Sequence, residues 1–550
     1  MKLALGVTGC LVVVVPSVHA GGLFLPGSGA ISTSRAGAAV ASTDDGEALS
    51  INPAGLAKTH GTTITVAASL ISYSMEFSRQ GAYDSVVAED TLGFEGQAFP
   101  TIENKAKPPL GIGSFQPIPV IAIVSDLGGR VEGLHVAAGL YAPSGYPFRD
   151  MTNGYEFNVS TSEPPPPTRY DVLTAESQLI FPSLAASYRV LAELDVGARF
   201  SAGRAKSKTS VAIWGTPNNV DESVRQDTLF TADVADGFVP TFGVGATYRP
   251  TPAIEIGAVY NSSATLRTKG TAQSVKGLGV DPDRVVGPIP DEMSRCETGG
   301  DFDKQKACIT VQLPQNATVG ARYKVLDSIG RMKADVELNL GWENWGKTCD
   351  FTSTGQMKDP DCASPSQILV KLDTGLWTAD RSTFAQPVEV NFVNLGLRDT
   401  YSVRLGGSYH IVLDEGFADP QPEPTKIIVR GGIGYDTKAA REGWLRASFD
   451  GAARITSTLG AAYHARTWEV NVGGGFVYEG AQTNAGDCNP TRFDPVACSA
   501  DGSLTPLDQR TGPDPTNPLV VPEFQTENPY NQGTIRSHYL LFMLGYSKWF

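Results

Sequence analysis

The stretch Phe242-Gly243-Val244-Gly245-Ala246-Thr247-Tyr248-Arg249, followed after residues 250–253 by Ile254-Glu255-Ile256-Gly257-Ala258, decides how this chain folds. Val244, Ala246 and Tyr248 fall on one face, and Gly243, Gly245, Thr247 and Arg249 on the other. A period of two is that of a β-strand, and a four-residue break carrying two prolines turns one strand into the next. The same pattern returns at Ser183–Tyr188, Leu194–Phe200 and Ala317–Tyr323. Counting such runs predicts fourteen strands between residues 62 and 550. They include runs near 134–146, 194–203, 238–249, 254–267, 313–325, 396–411 and 538–550.

The two faces belong to different solvents. Val244, Ala246, Tyr248, Val319, Ala321, Tyr323, Val403, Leu405, Tyr409, Leu459, Ala461 and Tyr463 form one set. Arg199, Arg249, Arg322, Lys333, Asp335, Glu337, Arg404, Arg430, His464 and Glu469 form the other. A soluble sandwich also alternates. The number of strands, the 59 glycines and the tyrosine-ended runs favour a transmembrane antiparallel β-barrel, apolar toward lipid and polar toward the lumen. Leu540, Phe542, Leu544 and Tyr546 alternate toward a terminal Phe550, which resembles the assembly signal of bacterial outer membrane barrels; Lys548 departs from it. Connectors alternate short (191–193, 250–253, 326–330, 464–466) and long (204–237, 268–312, 346–395, 480–537). That is the asymmetry between periplasmic turns and outer loops.

Composition agrees. The 550 residues are 41% hydrophobic and 19% charged, with a net charge of -14. Beyond the N-terminus no apolar run approaches the ~18 residues of a membrane helix. An aromatic content of 9% argues against disorder. The lack of a Lys/Arg-rich block excludes nucleic acid as a partner. Residues 1–20 read as a secretory signal: Lys2, an apolar Leu3–Val15, the breaker Pro16 and Val18-His19-Ala20 before the cut. Val7-Thr8-Gly9-Cys10 resembles a lipoprotein box, but a cut there would strand Leu11–Val15 in the mature chain.

The remaining cysteines are Cys296, Cys308, Cys349, Cys362, Cys488 and Cys498, all in long connectors on one predicted side. Six cysteines allow fifteen connectivities. Their grouping within three Gly/Asp/Pro-rich stretches predicts the local disulfides 296–308, 349–362 and 488–498, formed in an oxidising compartment. Neither C-x-x-C spacing nor a nearby histidine suggests a metal, and no cofactor motif or nucleophile–base set suggests an enzyme.

Residues 21–60 lack strand alternation. Ser34–Ala41 is small and helix-tolerant, Asp44-Asp45 caps a second short helix through Ser50, and Asn52-Pro53 forces a turn. A fourteen-stranded barrel encloses more space than its own side chains fill, so such a segment can plug it. The motif elements Arg35, Gly37, Asp44, Asp45 and Asn52-Pro53-Ala54-Gly55 resemble the N-terminal hatch of the FadL/TodX family, outer membrane transporters of long-chain fatty acids and aromatic hydrocarbons. Tyr141-Ala142-Pro143-Ser144-Gly145, Leu313-Pro314 opening the eighth strand, Asp335 with Trp342 and Trp345, and Asp399–Gly406 extend the resemblance over nearly the whole mature chain. The cysteine pairs and long loops depart from it.

The resemblance implies a small, mainly helical hatch (21–60) inside a barrel (61–550) of the bacterial outer membrane. It implies passive, monomeric transport of a hydrophobic small molecule past lipid and lipopolysaccharide. It further implies a gate at the hatch N-terminus, Gly21, Gly22, Leu23, Phe24 and Leu25, and lateral exit at a kink in the third strand. Pro143 and Gly145 are the candidates for that kink, since one cannot donate a ladder hydrogen bond and the other tolerates a bend; both could also simply end the strand. Asn52 is expected to tie the hatch to the wall through its amide. The alternatives to this reading are a water-filled porin for small polar solutes and an outer membrane barrel enzyme.

Overall fold

The computed structural model describes residues 24–59, 61–83, 85, 92–157, 163–213, 224–275, 283–350, 358–359, 361–387, 391–413, 424–441, 444–449, 451–484 and 533–550. The predicted signal, Gly21, Gly22, Leu23, Cys488 and Cys498 lie outside these residues.

Fourteen antiparallel strands close into a barrel. They are β1 (Thr62–Arg79), β2 (Gln116–Ser125), β3 (Leu134–Tyr141), β4 (Thr174–Leu191), β5 (Leu194–Ile213), β6 (Thr228–Thr251), β7 (Ile254–Asn261 continued by Ala264–Val275), β8 (Gln305–Leu313 continued by Asn316–Leu326), β9 (Met332–Glu343), β10 (Thr400–Val412), β11 (Lys426–Asp436), β12 (Arg454–His464), β13 (Trp468–Asn484) and β14 (Gly533–Trp549). Each pairs with the next. β14 returns to β1 in an unbroken ladder from Thr63↔Trp549 to Arg79↔Gly533. A closed ladder leaves no edge, the condition for strands to cross lipid. Among the described residues no helix is long and apolar enough to do so.

The two residue sets separate as their periodicity requires. Val244, Tyr248, Val319, Tyr323, Val403, Leu405, Tyr409, Leu459 and Tyr463 are exposed on the outside, whereas Arg199, Arg322, Asp335, Glu337, Arg430, His464 and Glu469 are buried. A belt of exposed apolar side chains facing outward is stable only against lipid.

Several boundaries differ from expectation, among them the end of β7 at Val275 rather than 267. β5 and β6 run outward to Ile213 and from Thr228, well past the apolar belt. β8 begins at Gln305, so Leu313-Pro314 lies at an interruption within it rather than at its start. The outer extensions bury a small apolar cluster, Phe230, Ala232, Val234, Ala272 and Ala307, on one face and expose polar residues such as Lys206, Asp233 and Lys269 on the other. They are strands because Ala264–Val275 pairs with Gln305–Leu313 across the connector. Arg284–Pro288, Thr374–Thr378 and Phe384–Pro387 add a small separate sheet. On this side Cys296 is bonded to Cys308 and Cys349 to Cys362.

A further difference is β3. It stops at Tyr141, opposite Phe181, and the wall resumes only at Phe148, opposite Glu176. Seven positions on this strand thus stand against five on β4, so residues 142–147 bulge from the register, held to the neighbouring strands at their ends by Ala142 N–H to the Pro119 carbonyl (3.2 Å) and Ser177 N–H to the Pro147 carbonyl (3.3 Å). They turn inward: Ser144, Gly145 and Tyr146 are buried.

Candidate functional site

Residues 24–59 touch the inward face of most of the wall. The first helix, α1, is Ile31–Ser34, earlier than the predicted Ser34–Ala41. It ends because Ala36 and Gly37 take positive φ (51° and 81°), which a continuing helix forbids. The second, α2 (Ala48–Ile51), is not capped by Asp44 or Asp45; Asp45 Oδ1 accepts the Glu47 N–H at 3.0 Å, and Asp44 is exposed. The capping is done by Glu47 on α1. Its Oε1 accepts the Ala30 and Ile31 N–H groups (2.6 and 2.8 Å), and its Oε2 accepts that of Ser32 (2.9 Å). These are donors that a helix start leaves without partners. Burial pushes the Glu47 carboxyl up, opposed by these same hydrogen bonds.

Asn52, fully buried, caps the 3-10 turn Pro53–Lys58 by accepting the Ala54 N–H (3.1 Å). Its amide donates to the Val40 carbonyl (2.8 Å) and to that of Ala246 on β6 (3.3 Å). Pro53 sits at the first position of this turn, where its missing N–H is harmless. Ala54 and Gly55 pack behind it; a Cβ on Gly55 would lie 2.6 Å from the Thr43 carbonyl oxygen.

Charge holds the other flank. Arg35 makes a forked pair with Asp335 on β9, Nη2–Oδ2 2.7 Å and Nη1–Oδ1 3.2 Å. It also donates to Ser408 Oγ (2.7 Å) and approaches Glu337 (3.4 Å). Arg322 links Asp335 (3.0 Å) to Glu255 (2.8 Å), which meets Lys324 (3.1 Å) and Lys58 (3.7 Å). Glu337 in turn accepts the Ala41 N–H at 2.8 Å. Arg35, Arg322, Lys58 and Lys324 thus face Asp335, Glu337 and Glu255, a near-balance that buried charge requires.

Glycines in the wall make room for this contact. A Cβ would fall 2.2 Å from the Arg35 carbonyl carbon at Gly432, 2.4 Å from that of Pro53 at Gly197, and 2.5 Å from the Val40 oxygen at Gly257. Gly406 and Gly460 meet Arg35 and Ser34 in the same way. The alternation that puts Gly243 and Gly245 on the lumenal face extends to these glycines but does not reveal their partners. Sequence reading missed Glu47, Lys58 and Glu255 entirely, and no motif marks them. A glycine recurring at the same depth in several strands is the signal that was available.

Phe24 and Leu25 lie where the segment meets the β3 interruption. The Leu25 N–H donates to the Ser144 carbonyl at 2.8 Å. The Phe24 carbonyl accepts from Arg454 (3.1 Å), and its ring stands 5.8 Å from that of Trp345. Phe24, Leu25, Tyr141, Pro143, Phe181 and Trp342 are among the residues around a cavity of about 220 Å³, whose charged members are Arg199, Glu343, Arg404 and Asp436. Arg199 is engaged there by the Leu49 and Ser50 carbonyls and Asn261, and Arg404 by Asp436. Among the described residues no group of three or more His, Cys, Asp or Glu is placed to hold a metal.

The family whose model matches residues 11–494 is described as outer membrane protein transport protein (OMPP1/FadL/TodX). No curated protein sequence matches the chain significantly. Among solved structures, a FadL homologue of Pseudomonas aeruginosa superposes with a TM-score of 0.62 at 13% identity, covering 96% of this chain and 100% of its own. The toluene transporter TbuX of Ralstonia pickettii gives 0.55 at 14% identity, with 96% and 99% covered. The toluene transporter TodX of P. putida gives 0.54 at 13%, again with 96% and 99% covered. At such identities the likeness is one of fold.

Proposed function

This chain belongs to the OMPP1/FadL/TodX family of outer membrane transport proteins, and from that premise we propose that it carries elongated hydrophobic molecules, fatty acids or hydrocarbons, from the cell exterior into the outer membrane. Lipopolysaccharide excludes such solutes from direct partition. A barrel whose cavity presents Phe24, Leu25, Tyr141, Phe181 and Trp342 among its polar residues gives them a route around that layer. Residues 24–59 act as the hatch, and Phe24 and Leu25 as its gate. The inward turn of residues 142–147 is the exit, with Pro143 supplying no N–H and Gly145 in its buried centre.

The observation that carries this reading is the hydrogen bond from Leu25 to the Ser144 carbonyl beside the cavity. It ties the gate to the interrupted strand. A ligand that displaces Phe24 and Leu25 from the cavity therefore also releases residues 142–147 and opens the wall. Exit is sideways, because a cargo that prefers lipid gains nothing by entering periplasmic water.

The test replaces residues 142–147 by a regular Val/Thr strand of two fewer residues, which removes Pro143 and Gly145. Binding of labelled palmitate and labelled toluene to purified protein is measured beside their uptake by cells. Reduced uptake with retained binding supports sideways exit, and the better-bound probe assigns the cargo class. Normal uptake moves the route away from β3, and binding of neither probe sinks the hydrophobic cargo.

A further inference from the structure

The wall has a second interruption, between β6 and β7. The ladder runs from Tyr248↔Ile256 to Gly243↔Asn261, then stops, and resumes at Ala235↔Lys269. Eight positions separate the two ends on each strand. The register therefore resumes in phase, unlike that of the β3 bulge. Ser262 and Ser263 also pair with nothing on β8, where Pro314 and Gln315 stand opposite.

The edges of this opening are finished by side chains. On β6 the opening is edged by Phe238, Pro240 and Phe242. The Phe238 N–H goes to Asp236 Oδ1 at 3.0 Å, Pro240 has none, and the Phe242 N–H goes to Ser262 Oγ at 3.0 Å. Across the gap, Asp236 Oδ2 accepts the Arg267 N–H at 2.8 Å, and Phe242 O accepts the Ser262 N–H at 2.9 Å. An unpaired N–H in a lipid-facing wall is costly because no water can satisfy it. At Phe238, Pro240 and Phe242, therefore, β6 offers no free donor, which lowers the cost of leaving this stretch unzipped.

It also has an apolar floor. Tyr141, Leu179 and Phe181, Ala205, Val239, Ala264 and Leu266, and Leu313 form a continuous buried or half-buried cluster across the inner wall from β3 to β8. The cavity beside Pro143 and Ser144 reaches Thr241, Phe242, Ser262 and Ala264 at the far end of this cluster. Phe238 and Phe242 flank the opening on the outside and are 60% and 51% exposed.

We propose that the gap between β6 and β7 is a second lateral passage, through which the same apolar cargo moves between the lumen and the membrane. This rests on the transport reading above. The shared cluster connects both openings to one cavity, so cargo has two ways out.

The test uses full-length protein in outer membrane vesicles, irradiated with a diazirine analogue of palmitate, with labelled peptides mapped by mass spectrometry. Label on 236–242 and 262–268, competed by excess palmitate and lost in Ala264→Trp, supports the passage. Val239→Trp, which fills the same inner mouth from β6, provides a second variant, and heat-dependent gel mobility reports that each barrel is folded. Label at Phe238 and Phe242 that persists in folded Ala264→Trp and Val239→Trp comes from the lipid side and overturns the passage. Label at 141–148 alone overturns it too and leaves the transport reading standing. Competed label nowhere in the lumen overturns both.

Discussion

Arg35 in the N-terminal segment and Asp335 on β9 are 300 positions apart and form a forked, fully buried ion pair, at 2.7 and 3.2 Å. Sequence order keeps them apart until the barrel closes. Removing one partner of such a pair costs about 3–5 kcal/mol because the other charge stays buried. Arg322 still holds Asp335, so Arg35→Ala is expected near the lower end. Ion conductance in planar bilayers should rise while heat-dependent mobility still reports an intact barrel. Arg35→Lys should rescue little, since an ammonium cannot span both oxygens. Unchanged conductance in Arg35→Ala would show that the pair does not hold the segment.

The wall glycines make a second prediction. At Gly432 an added Cβ meets the Arg35 backbone at 2.2 Å, whereas at Gly474 the nearest atom lies at an ordinary 3.7 Å. Gly432→Val should displace residues 24–59 and expose them to protease. Gly474→Val should leave the digestion pattern as in the parent protein, and equal protection in both variants would defeat the argument.

A third concerns the junction between segment and barrel. Asp126, in the turn between β2 and β3, accepts the Gly128 N–H (2.8 Å) and the Gly61 N–H (3.0 Å). The Gly128 bond above all, with that from Gly61, holds its carboxyl below the ordinary carboxylate value. A depressed carboxylate stabilises the fold above its unfolded pKa, and the effect vanishes as pH falls through the depressed value. The junction should therefore be insensitive from neutral pH down to the ordinary carboxylate range and loosen only below it. The Gly61 and Gly128 amide shifts in an NMR titration report this. A midpoint at or above the ordinary Asp value would contradict it.

The disulfides give a fourth. Cys296–Cys308 and Cys349–Cys362 close loops of the outer side and cross no barrel seam. Reduction should leave heat-dependent mobility unchanged while loosening those loops to protease. Peptide mapping without reduction should find Cys488 joined to Cys498, and a cross-loop peptide or a free thiol there would refute the local pairing.

Strand number, closure and the two faces were legible in the sequence, because alternation at Val244, Ala246 and Tyr248 against Gly243, Gly245 and Arg249 records lipid on one side and lumen on the other, residue by residue. Pro143, which cannot donate to a ladder, marks this strand as irregular, but the sequence run extends to 146 whereas β3 stops at Tyr141. Tertiary structure alone decided that Gly432, Gly257 and Gly197 face Arg35, Val40 and Pro53. It alone decided that Glu47 caps α1 and that β6 and β7 part between Gly243 and Ala235. Lumenal polar residues resemble one another in sequence, and register between strands is not a local property. Only when fourteen strands close around one segment does a given glycine, carboxylate or serine acquire its partner.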